Sequence, residues 1–187
     1  MEYQIKILVD GKILYEGTYL CDDPTDRNFG KLIFDGFDAN RNVLEYDGVV
    51  GEIQKWYYGY VSHTPWCASS LSFFANRAGC LKAIGGKNDN VYEMAQACKK
   101  AAKEGYGDYY EGSAIPERVP QYAICFFVWS GDFKADNPKK HVCMAEFASS
   151  GDTLYCIGGN QSDKICTKEY SRDCLRAIYI IRKGDEK

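Results

Sequence analysis

Residues 122–181 contain five short runs of β-forming residues, at 122–129, 141–148, 153–157, 164–169 and 175–181, separated by polar turn residues such as Ser150-Gly151-Asp152. Such short, regularly interrupted runs leave no room for crossover helices between parallel strands, so they predict an antiparallel sheet. The two clear helical periods both precede this region. In the first, Leu71, Phe74, Ala75 and Ala78 share a face and Gly79 marks a stop. In the second, Asn90 and Glu93 form a capping-box-like pair, and Val91, Met94, Ala95, Cys98 and Ala101 line one side as far as about Glu104. Helices first and meandering strands after predict an α+β domain with the helices on one side of the sheet.

The remaining segments are read more coarsely. Residues 3–19 alternate around Asp10-Gly11 and predict an N-terminal β-hairpin, whose ordinary role is to extend the sheet. Residues 21–47, rich in Asp, Asn and Gly, are read as loops around one strand at 31–37. Residues 49–60 fit either a short helix or an extended approach, and the tyrosine- and glycine-rich stretch after Glu104 is read as a loop. A chain of 187 residues, 45% of them hydrophobic, suits a single domain with a real core. Within it, residues 1–41 form an extension and 42–187 the core.

Several functional classes are set aside by composition. A net charge of −3 with scattered basic residues lacks the footprint of a nucleic-acid binder. The opening residues show no signal-peptide pattern and no stretch approaches a membrane span, so the expectation is a product made in the cytoplasm without membrane insertion. The nine cysteines, at 21, 67, 80, 98, 125, 143, 156, 166 and 174, contain no Cys-x-x-Cys pair, which argues against a metal site. Their odd number and the missing signal also argue against a disulfide framework, and Cys125, Cys143 and Cys156 fall in apolar runs where cysteine serves as a small hydrophobe.

Cys67 is the exception. In Thr64-Pro65-Trp66-Cys67, Thr64 reads as a helix cap and Pro65 as the first helical residue, which puts Cys67 in the first turn. Unpaired amides there favour a thiolate and are suited to hold an oxyanion. A buried packing thiol would serve the same position. A nucleophilic cysteine needs a base, and the chain offers His63 and His141. His141 opens a strand and is the expected base; His63 lies in a loop, where it either lines the site or is simply solvated. Asn160, in Gly158-Gly159-Asn160-Gln161, follows the strand neighbouring that of His141 and is placed to orient the imidazole, although Gly-Gly-Asn-Gln also reads as an ordinary turn.

Taken in order, Thr64-Pro65-Trp66-Cys67-Ala68, Asn76-Arg77-Ala78-Gly79, His141-Val142 and Gly158-Gly159-Asn160-Gln161-Ser162 resemble the NlpC-like and CHAP (cysteine, histidine-dependent amidohydrolase/peptidase) cell-wall hydrolases, most closely a phage-associated subgroup. The resemblance covers roughly residues 42–181. It implies a papain-like fold, with Cys67 as nucleophile, His141 as base, Asn160 as orienting residue, no cofactor, and hydrolysis of amide bonds in peptidoglycan at the cell wall after lysis or export. Trp66, Tyr60 and His63 are the expected substrate-binding residues, and an immunity or delivery partner is the expected protein partner. Three positions depart from the subgroup: Pro120-Gln121-Tyr122 replaces Pro-Gly-Asp, His63 stands where an acid is common, and Val142-Cys143 replaces Val-Gly. The alternatives are a non-catalytic module binding cell wall or a partner, and an acyl or amide transferase using the same thiol.

Overall fold

The computed structural model describes residues 28–62, 64–134 and 139–185 in full, and residues 2–9 and 12–20 as backbone. Strands β1 (Glu2–Val9) and β2 (Lys12–Leu20) pair antiparallel, from Glu2 opposite Leu20 to Val9 opposite Lys12, as a sheet of their own. The Asp10-Gly11 pair expected to turn between them lies outside the described residues.

Four helices follow: α1 (Phe29–Asp38), α2 (Gly48–Tyr58), α3 (Cys67–Ala78) and α4 (Val91–Lys103). The expected strand at 31–37 is helix α1. Asn28 accepts a hydrogen bond from the Lys31 amide at 2.9 Å, Lys31 and Asp35 pair one turn apart at 2.7 Å, and Ile33 and Phe37 point inward at helical spacing. The adjacent apolar residues Leu32 and Phe34 mask that period in the sequence. Residues 49–60 resolve as the helical alternative, ended by Gly59 at φ 83°. The α4 prediction holds: Asn90 accepts from the amides of Tyr92 and Glu93, and all five predicted face residues are buried.

The sheet contains β3 (Gly107–Glu111), β4 (Ile124–Ser130), β5 (Lys139–Ala145), β6 (Thr153–Gly158), β7 (Cys166–Ser171) and β8 (Leu175–Ile181). Its order is β3-β8-β4-β5-β6-β7 with every pairing antiparallel. The β3 edge strand replaces the loop expected after Glu104; its half-buried Tyr109 and Tyr110 pair with Tyr179 and Ile178 of β8, a contact that only the distant strand provides.

The strand period of two sorts side chains onto two faces. Phe126, Val142, Met144, Ile157 and Tyr179 join the helices in the principal core, while Cys125, Phe127, Cys143, Cys156 and Tyr170 pack together in a second cluster. The three strand cysteines therefore sit in packing positions, and all eight described cysteines are free. Tyr179 spans the core to donate its hydroxyl to the Ala83 carbonyl at 2.7 Å.

Helix α3 is the central helix, buried at every position from Cys67 to Ala75. It begins where β5 and β6 part: their paired register consists of Met144 with Ile157 and Ala145 with Cys156, after which the chain turns through Gly158-Gly159. A Cβ on Gly159 would fall 2.4 Å from the Trp66 ring and 2.5 Å from Ser70 Oγ, so a side chain here would push the start of α3 off the sheet.

The core and the cap give separate expectations. Phe126→Ala should cost about 3–5 kcal/mol and Asn90→Ala about 1 kcal/mol, as read from denaturant unfolding midpoints.

Candidate active site

Cys67 is the first residue of α3, two positions nearer the helix end than expected. Trp66 occupies the cap position, where its side chain makes no capping bond. Thr64, the expected cap, instead pairs through its hydroxyl with Ser62 Oγ at 2.6 Å, and its amide donates to the same oxygen at 3.1 Å. The short Ser62–Thr64 turn captures the hydroxyl locally and leaves the helix amides without a side-chain cap.

The Cys67 side chain lies against β5 with the residue only 5% exposed. Burial raises its thiol above the ordinary range; hydrogen bonds from the backbone of Val142, Ala68 and Cys67 itself oppose the rise without cancelling it. Placement at a helix start alone suggests an acidic thiol, but here desolvation outweighs the amides.

His141 lies one residue before Val142 and opposite Phe127 in the β4–β5 register. It is 7% exposed, and Nε2 is buried with no hydrogen-bond partner among the described residues. Burial, with a smaller contribution from Lys168, lowers its pKa to about 4. The imidazole is therefore neutral at neutral pH and able to accept a proton. Its ring stacks on Tyr170 with centroids 5.8 Å apart and lies 6.3 Å from the Trp129 ring.

Asn160 turns in the left-handed region at φ 58° and is half-buried. The more firmly held residue of this loop is Gln161. Only 2% exposed, it donates to the carbonyls of Cys166 at 2.7 Å and Cys156 at 3.3 Å, and accepts from the Tyr170 hydroxyl. No local motif singles out Tyr170, and Gln161 reads only as part of the Gly-Gly-Asn-Gln turn. The buried Tyr170 in an otherwise polar β7 run is the signal that marks it.

The tertiary structure thus brings the backbone neighbours of the predicted residues together at the start of α3. Val142 reaches the Cys67 sulfur, and Gly159 abuts Trp66. Among the described residues no hydrogen bond joins the side chains of Cys67, His141 and Asn160. Trp66 is fully buried, so its ring supports the helix start from below instead of facing a ligand. Tyr60 is 64% exposed just beyond α2, and His63 lies outside the described residues.

A cavity of about 500 Å³, lined by Asn42, Ser162, Lys164 and Lys168 among others, adjoins the loop carrying Asn160. Among the described residues, no group of three or more His, Cys, Asp or Glu is arranged to hold a metal ion. No protein-family model, curated protein or solved structure matches the chain.

Two measurements test this arrangement. Because the unfolded imidazole titrates near 6.5 and the folded one near 4, the unfolded chain binds more protons between those values. The stabilisation from keeping His141 neutral is complete above pH 6.5 and is lost as the pH falls toward 4, by roughly 3 kcal/mol in all. Melting temperatures should fall across that window in the wild type, and less steeply in His141→Gln. Gly159→Ala should lower stability by about 1–3 kcal/mol through overpacking and also change the rate of Cys67 alkylation, since the same contact seats the helix start.

Proposed function

We propose that the chain is a cysteine-dependent hydrolase of amide bonds in bacterial peptidoglycan, an endopeptidase or N-acetylmuramoyl-L-alanine amidase with a papain-like core and an N-terminal two-stranded extension. The observation that carries this reading is the Cys67 thiol at an uncapped helix start, packed against β5, the strand that bears His141. The order of the cysteine, histidine and Gly-Gly-Asn-Gln motifs supports it independently.

In this reading the neutral imidazole of His141 takes the thiol proton as Cys67 attacks the scissile carbonyl. The sulfur–carbon bond forms, and amides at the start of α3 hold the developing oxyanion. His141 returns the proton to the leaving amine as the carbon–nitrogen bond breaks, and water then releases the acyl group by the reverse proton path. The motif assigns Asn160 the task of orienting the imidazole. A neutral pair, with the thiol raised and the imidazole lowered, makes this base-assisted attack and not attack by a standing thiolate. The exposed Tyr60 and the half-exposed Trp129 ring beside His141 offer aromatic surface to a glycan-peptide strand. Among the described residues no helix is long and apolar enough to cross a membrane, and the proposed place of action is the cell wall, reached by lysis or export.

A non-catalytic binding module on the same fold is the second reading. The raised thiol and the absence of a Cys67–His141 hydrogen bond among the described residues favour it.

Purified protein incubated with peptidoglycan sacculi should release fragments that mass spectrometry assigns to a single bond type. Cys67→Ala should release none, and His141→Gln should be slower by about 10²–10⁴-fold. Intact sacculi that nonetheless retain the wild-type protein would replace the hydrolase with the binding module.

A further inference from the structure

We propose that Tyr170, tied to the buried Gln161, is the positioning residue of His141 and holds its imidazole in place by ring stacking; the proposal rests on the hydrolase reading, in which His141 is the base. A general base works only while its ring keeps one orientation, and a buried imidazole can be held by hydrogen bonds at its nitrogens or by packing against its face. The first means is missing at Nε2, which has no partner among the described residues. The second is built into the sheet.

The Tyr170 ring lies nearly parallel to that of His141, at 21° with centroids 5.8 Å apart, and nearly parallel to Phe127, at 22° and 4.6 Å. Trp129 closes the group, 5.6 Å from Tyr170 and 6.3 Å from His141. The four residues come from three strands: Phe127 and Trp129 from β4, His141 from β5 and Tyr170 from β7. Tyr170 cannot slide along this group because its hydroxyl donates to Gln161 Oε1, while Gln161 Nε2 is held by the Cys156 and Cys166 carbonyls.

The chain of contacts thus runs from the backbone of β6 and β7 through Gln161 and Tyr170 to the imidazole. A Cβ on Gly158 would approach Gln161 Nε2 to 3.0 Å, so the glycine beside the one that seats α3 leaves room for the glutamine. Gln161 and Tyr170 thus hold the face of the imidazole, beside the orienting task that the motif gives Asn160.

Two readouts test this, and the first does not depend on catalysis. In wild-type protein, NMR should show contacts between the His141 and Tyr170 ring protons, with the His141 resonances displaced upfield by the tyrosine ring current; His141→Gln assigns them. Tyr170→Leu should lose the upfield displacement and slow alkylation of Cys67 by iodoacetamide about tenfold. Tyr170→Phe, which keeps the stack, should retain the displacement and alkylate within about threefold of wild type. Absence of the ring contacts in the wild type overturns the proposal even if Tyr170→Leu fails to fold. So does a Tyr170→Leu protein with wild-type ring shifts and alkylation rate, or a Tyr170→Phe protein as slow as the leucine variant. Sacculi left intact by a wild-type protein that shows the stacked ring would remove the hydrolase reading while leaving His141 positioned by Tyr170.

Discussion

The close approach of Gly159 to Trp66 and Ser70 is the contact on which the rest of the site depends. It lets the first turn of α3 settle into the opening between β5 and β6, which in turn lets the Val142 backbone reach the Cys67 sulfur. A helix start carrying a thiol is common chemistry in isolation. Docked on the sheet, it becomes a desolvated thiol packed against the strand that bears His141, whose ring stacks with Tyr170 of the second cluster on the sheet's other face. Gly159 is thus a steric requirement of the helix–sheet junction, while Gly158 is required by the close packing of Cys143 and Gln161.

Desolvation governs the electrostatics that follow. It raises the thiol and lowers the imidazole, so both groups are neutral where an exposed pair would have been freer to exchange charge. In the proposed hydrolase, the amides around Cys67 would serve a developing oxyanion more than a resting thiolate, because in a dry site a fixed dipole acts most strongly on charge that appears during reaction. The aromatic group packed against His141 contributes to the same dryness.

The legible parts of the sequence were those in which a local signal and a tertiary demand coincide. Helix α4 was readable because its cap and buried face share one period, and β4 to β8 because short apolar runs alternate with turns. Helix α1 reads as a strand because Leu32, Ile33 and Phe34 are contiguous, hiding the four-residue spacing of Ile33 and Phe37. Strand β3 reads as a loop because its tyrosines acquire a partner only from β8, some seventy residues further along the chain. The cap of α3 is not at Thr64, as its local sequence suggests, because Thr64 has a competing partner two residues away in Ser62.

For the site, the amino-acid sequence alone determined which chemical groups are available: one cysteine at a helix start, a histidine opening a strand, and a glycine-rich turn ending in two amide side chains. These follow from local propensity and residue type. Their ionisation and their partners were decided by the tertiary structure alone, since both depend on how much water the fold excludes and on which strands lie side by side. Local signals mark Cys67 as a helix-start thiol, but only its burial beneath β5 raises it; Gln161 reads as a turn residue until β7 brings Tyr170 to its side chain.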